Sequence, residues 1–295
     1  MGAVIRSVGV AKPGLFSGGS INITAKAAKD CLQRVGQDPN GVDVLVNAGV
    51  YKERNLGEPS LASIIQYKVG ANRLWTGRGT FSFDVNNGGC GMVTGIQLID
   101  GFIKNGPTKL GMVVAGDSEP FRGLTEGFDF KPYASAMLLS AGKANEGFVL
   151  FKSKTYAKFK DAFESRIKFA YKVKNRHTTV IKQSAGYMNA CADCAIDSLT
   201  GFLKDAKLTI KDIDLVIPSQ SPIGFLDRLK KKSGLGDKII DVTKELGNIH
   251  SASIGAALDN AMASGRFKKA RTILFLAVGS GITVSMALYK NGKGK

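Results

Sequence analysis

The sequence predicts a layered α/β protein made of two copies of one strand–helix unit, on three observations. Apolar strand-like runs alternate with amphipathic helical stretches along 295 residues containing 36 glycines, as expected of βα units joined by tight turns. Residues 81–118 read strand, turn, helix and strand in immediate succession. The two halves also echo each other: Asp30-Cys31-Leu32 and then Val42-Asp43-Val44-Leu45-Val46 are matched by Asp197-Ser198-Leu199 and then Ile213-Asp214-Leu215-Val216-Ile217. Likewise the helix carrying Asp100 before residues 110–118 is matched by the one carrying Asp259 before residues 272–280. In such a duplicated sheet, equivalent strand ends meet between the copies, where ligands tend to bind. The halves are expected to span residues 1–155 and 156–295.

Taken in order, residues 3–10 read as a strand, 24–35 as a helix capped by Asn22, 42–46 as a buried strand and 61–69 as a helix. Phe81, Phe83 and Val85 alternate with Ser82 and Asp84, the period of a half-buried strand. Asn86-Asn87-Gly88-Gly89 breaks that period with residues that tolerate positive φ. From Cys90 a helix follows, with Val93, Ile96, Ile99 and Ile103 on one face, until Asn105-Gly106-Pro107 stops it. Strands are expected at 110–115, 136–139, 148–151, 168–174, 213–217, 272–278 and 283–289, and helices at 185–203, 223–231 and 251–262.

With 44% apolar residues the chain can bury a sizeable core, and no apolar run approaches the ~18–20 residues of a membrane span. Its first residues run straight into a strand-like segment without the shape of a signal peptide. Four unpaired-looking cysteines do not make a disulfide scaffold, so a reducing cytoplasm is expected. A net charge of +17 favours acidic partners, such as a phosphorylated cofactor or an acidic carrier protein, or is simply a solvated basic surface. No nucleic-acid motif accompanies the scattered lysines, so nucleic-acid binding is not expected.

Cys90 sits where a strand turns sharply into a helix. Unpaired N–H groups and partial positive charge at a helix start favour a thiolate, and the same groups can receive an oxyanion. The alternative is a small apolar residue in a tight turn.

These residues resemble a known family. The FDV-x-x-G-x-C-G segment before a helix, Gly247-Asn248 leading into Ser251-Ala252-Ser253, and the C-terminal VGSGIT are similar to ketoacyl-acyl-carrier-protein synthase III of the thiolase superfamily. The resemblance implies a thiolase-like duplicated five-layer αβαβα fold with mixed sheets. It implies a dimer, either a homodimer or a heterodimer with a related synthase, and no permanently bound cofactor. The substrate would be an acyl-CoA or phosphopantetheine thioester, delivered by an acidic acyl carrier protein and transferred onto a cysteine. Asn248 matches the family asparagine that binds the thioester oxygen. Gly279-Ser280-Gly281 matches the glycine-rich loop whose backbone N–H completes the oxyanion hole.

Three departures stand out. Ser219, in Ser219-Gln220-Ser221-Pro222, replaces the family histidine, and a serine hydroxyl cannot be the same base. With Gly91 and Asp100 held in register, Gly89 occupies the nucleophile position and Cys90 lies one residue late. The segment that holds the adenine of coenzyme A has no match between Gly36 and Tyr51. In the other direction, Glu58 aligns with a segment that crosses the dimer interface and, in relatives joining two acyl chains, supplies a base; otherwise it is a solvated loop acid. His250 either substitutes for the missing histidine or is a helix-start residue bonded to backbone. Arg228 and Lys231, in a basic run, form either a carrier-protein patch or a solvated helix face. Cys191-x-x-Cys194 reads as core packing rather than a metal site.

The leading functional expectation is therefore an acyltransferase using Cys90 and Asn248. The alternative is a catalytically silent subunit partnering an active synthase.

Overall fold

The computed structural model describes residues 2–14, 19–73, 79–120, 125–169 and 177–292. In the first half, β1 (Ala3–Ala11) leads into α1 (Ser20–Gln33), β2 (Val44–Asn47), α2 (Leu61–Val69), β3 (Phe81–Asp84), α3 (Gly91–Asn105) and β4 (Leu110–Asp117). A short β5 (Thr125–Glu126) precedes β6 (Tyr133–Ala141). The second half runs β7 (Gly147–Thr155), β8 (Phe163–Phe169), β9 (His177–Gln183), α4 (Tyr187–Ala206), β10 (Leu215–Pro218) and α5 (Phe225–Ser233). It ends with α6 (Thr243–Leu246), α7 (Ser253–Ala263), α8 (Arg266–Lys269), β11 (Thr272–Gly279) and β12 (Thr283–Lys290).

One sheet has the order β1-β6-β4-β2-β3 and the other β10-β11-β12-β7, each mixing parallel and antiparallel pairs. Alternate residues of each buried strand serve different layers. In β11, Ile273, Phe275 and Ala277 join the central cluster with α3 and α7, while Leu274, Leu276 and Val278 pack on α4 and α5. In the first sheet Val113 and Ala115 face the same central layer, and Met112 and Val114 face α1 and α2. The order α1/α2, sheet, α3/α7, sheet, α4/α5 is the five-layer αβαβα arrangement, with mixed sheets.

The internal repeat has a physical counterpart. Asp43 accepts from Lys109 N and Leu110 N (2.8 and 3.0 Å), and Asp214 accepts from Arg271 N and Thr272 N (2.9 and 2.8 Å). Each carboxylate thus fixes the start of the parallel strand beside its own.

The structure adds to the sequence reading at three elements. By hydrogen bonding β7 belongs to the second sheet, as the antiparallel edge partner of β12. Asn22 lies inside α1, whose N-cap is Gly19 with no side-chain cap. The strand expected at 168–174 is the end of β8, and residues 170–174 lie outside those described. β8 and β9 pair with β5 in a separate three-stranded sheet over the strand ends. No helix among the described residues is long and apolar enough to cross a membrane.

Candidate active site

The carboxyl ends of β2, β4, β10 and β11 meet between the two halves. Asp84, at the end of β3, anchors this region by accepting from Leu61 N, Ala62 N, Asn47 Nδ2 and Lys52 Nζ. Those four donors, led by Lys52, outweigh partial burial and hold its carboxyl below the ordinary aspartate range. The chain then turns through Gly88 (φ 48°) and one 3-10 turn, Gly88–Cys90, into α3. Asn87 Nδ2 donates to Thr94 Oγ1 (2.9 Å), which donates to Cys90 O (3.1 Å), so the elbow is tied to the helix it starts.

The structure places Cys90 in the core. Its side chain is fully buried, and Sγ donates to Thr283 O of β12 at 3.3 Å, inside the central layer. It does not line the cavity that holds Asn248. Burial raises the thiol to about 12, the opposite of thiolate activation, and hydrogen bonding with Ser285 offsets only part of that rise.

Gly89 is the residue of the elbow that faces the cavity. It has no room for a side chain: a Cβ would lie 2.3 Å from the Val278 carbonyl oxygen and 3.6 Å from Gly279 Cα. The end of β11 has closed on this position.

Around Gly89 lies an inner cavity of about 30 Å³, bordered by Ser219, Asn248, His250, Tyr187, Gly279 and Ser280. His250, Ser280 and Phe163 also line an outer cavity of about 810 Å³ reaching toward Asn55, Gly57 and Arg166. Ser219 is buried, its Oγ accepting from Val278 N (3.1 Å), so this hydroxyl helps hold β11 against the elbow. Asn248 Nδ2 donates to Asp129 Oδ1 (3.3 Å), while its Oδ1 is buried without a partner among the described residues.

His250 has φ 39° and Nδ1 3.0 Å from Asp117 Oδ2. Asp117, at the end of β4, is 1% exposed and also accepts from Val50 N, Tyr51 N and Ser251 N at 2.8, 2.8 and 2.9 Å. These donors, His250 first, overcome burial and keep the carboxyl below the ordinary aspartate value. His250 is thus bonded to a buried carboxylate, not to backbone. Tyr51 and Phe130 flank its ring, with centroids 5.2 and 4.5 Å away. Sequence reading assigned no role to Asp117; the signal was an acid ending the apolar run of β4.

The other expected residues lie apart from this cluster. Glu58 is exposed in the loop before α2 and lines neither cavity, although its neighbour Gly57 borders the outer one. Arg228, on α5, is engaged with Asp193 through Nη2 at 2.9 Å, and Lys231 is exposed on the same helix. Gly281 (φ 101°) carries the turn after β11 and lines neither cavity. Cys191 and Cys194 pack in the outer core of the second half, and no group of three or more potential metal ligands occurs among the described residues.

Residues 203–291 match the family model described as 3-oxoacyl-[acyl-carrier-protein] synthase III C terminal. The chain is 25% identical over 290 residues to the beta-ketoacyl-[acyl-carrier-protein] synthase III of Caldanaerobacter subterraneus subsp. tengcongensis, covering 92% of this chain and 83% of that one. It is 23% identical over 277 residues to the enzyme of the same name from Rickettsia bellii, covering 91% and 83%. Over most of its length the chain is thus similar to ketoacyl-acyl-carrier-protein synthase III. Its fold matches the crystal structure of 3-oxoacyl-(acyl carrier protein) synthase III, FabH, from Pseudomonas aeruginosa PAO1 with TM-score 0.85 at 18% identity, covering 99% of both chains. Xanthomonas campestris OleA, solved with bound lauric acid and lauroyl-CoA, matches with TM-score 0.81 at 16% identity, again covering 99% of both.

Proposed function

We propose that this chain is an acyl-thioester transferase that works without an acyl-cysteine. The thioester of coenzyme A, or of an acyl carrier protein, would lie in the outer cavity with its carbonyl at the inner one. Asn248 retains a second amide hydrogen beyond the one given to Asp129, and with a backbone N–H of the Gly279-Ser280 loop it would polarise the thioester oxygen. The acyl group would then pass directly to its acceptor. The observation that carries this reading is Gly89: the nucleophile position has no side chain and no space for one, while the cavity beside it persists.

The experiment is release of free thiol from an acyl-CoA panel, acetyl to lauroyl, by wild type and by Cys90→Ser. The reading requires release at comparable rates from both. Loss of release in Cys90→Ser, with the fold intact, would restore the cysteine route.

A second reading is supported by the same closure of β11 on Gly89: a silent subunit pairing with an active synthase. It requires that wild type release no thiol, and that it form a stable complex with such a synthase in size-exclusion chromatography.

A further inference from the structure

We infer that His250, held by Asp117, is a general base that directs water onto the thioester carbonyl, making the site an acyl-thioester hydrolase. This rests on the transferase reading above and names its acceptor. Four observations converge on the imidazole. A non-glycine residue at φ 39° is uncommon, and such backbone outliers cluster at functional sites. The Asp117 carboxylate is fully engaged, with three backbone N–H groups besides His250, so its geometry is fixed. As an acceptor it selects the tautomer with the proton on Nδ1, which leaves a lone pair on Nε2. Nε2 has no hydrogen-bond partner among the described residues and is not sealed from solvent, while the residue borders both cavities.

The inner cavity selects the acceptor. Its ~30 Å³ has room for about two water molecules. It is lined by polar groups that can hold one: the Asn248 carboxamide, Ser280 and His250. A larger acceptor would exceed that volume.

The step balances without an external redox partner. His250 Nε2 takes a proton from water as its oxygen bonds to the acyl carbon, giving a tetrahedral oxyanion. The oxyanion re-forms the carbonyl as the carbon–sulfur bond breaks. The departing thiolate takes the proton back from His250, leaving a carboxylic acid and a free thiol. The titratable groups facing the ring are Asp117 from β4 and the Tyr51 phenol from the loop after β2; Tyr187 of α4 lines the same inner cavity, and Asp129, from the loop before β6, is engaged with Asn248. Tyr51 is raised by burial and is no competing base.

The test is turnover of lauroyl-CoA in water enriched in oxygen-18. Wild type should release thiol and lauric acid carrying the label. His250→Gly suits the positive φ and opens a hole for added imidazole; it should lose about 10²–10⁴-fold in kcat and regain part of it with imidazole. His250→Gln, close in size but not basic, should stay folded by circular dichroism and inactive. Asp117→Asn should lower kcat with KM little changed, as expected of a positioning residue. If His250→Gly and His250→Gln retain rates within a few fold of wild type, or if imidazole restores nothing, the base assignment falls and the transferase reading stands. Thiol release without labelled acid overturns water as acceptor. Absence of thiol release from wild type overturns both.

Discussion

Gly89→Ala is the smallest change that probes the closed position of the elbow. A Cβ there would meet the Val278 carbonyl oxygen at 2.3 Å, about an ångström inside normal contact. The obstacle is backbone at the end of β11, which is paired residue for residue with β12 and tied to Ser219, so it cannot rotate away as a side chain would. Overpacking of this kind typically costs about 1–3 kcal/mol. At roughly 2–4 °C per kcal/mol for a domain of this size, the melting temperature should fall by several degrees. Gly101→Ala is the control: it lies inside α3 with nothing within 4 Å of its Cβ, and there alanine should stabilise by about 0.5–1 kcal/mol. The assay is thermal unfolding by calorimetry on wild type and both variants. A Gly89→Ala protein that melts with wild type, or above it, would refute the claim that β11 has closed on this position.

The state of the thiols gives a second prediction. Burial raises Cys31 to about 11 and Cys90 and Cys191 to about 12, and it raises Cys194 as well. Iodoacetamide near pH 8 should therefore label none of the four under native conditions and all four after unfolding; native labelling of Cys90 would contradict its placement in the core. Third, Asp117 is depressed when folded. Its stabilisation is present above the unfolded aspartate value of ~3.9 and fades as pH falls through the lower folded value. Asp117→Asn should thus cost about 3–5 kcal/mol near neutral pH and progressively less in acid, read from urea unfolding at several pH values. A deficit independent of pH would mean that the carboxylate is not charged in the folded protein.

Much of the fold was legible because buried strands of both sheets are apolar on both faces, and because Asp43 and Asp214 repeat at equivalent strand starts. The sheet membership of β7 was not legible: Val149 is 47% exposed, and an edge strand's own pattern does not name its partner. In the site, register decided the outcome. One residue along the 3-10 turn rotates a side chain by about 120°, so a sulfur at position 90 faces β12 while position 89 faces the cavity. The departures at Gly89 and Ser219 were visible in the sequence. That β11 fills the vacated space was not, because the contact joins residues far apart in the chain. His250 showed its proximity to Asn248, but its partner Asp117 lies 133 residues away and enters only through the fold.

The most direct test is the intact mass of the protein after incubation with acyl-CoAs and acyl carrier proteins. A sulfur enclosed in the central layer predicts an unchanged mass at every chain length, alongside release of free thiol. A stable acyl increment on wild type that disappears in Cys90→Ser would contradict it.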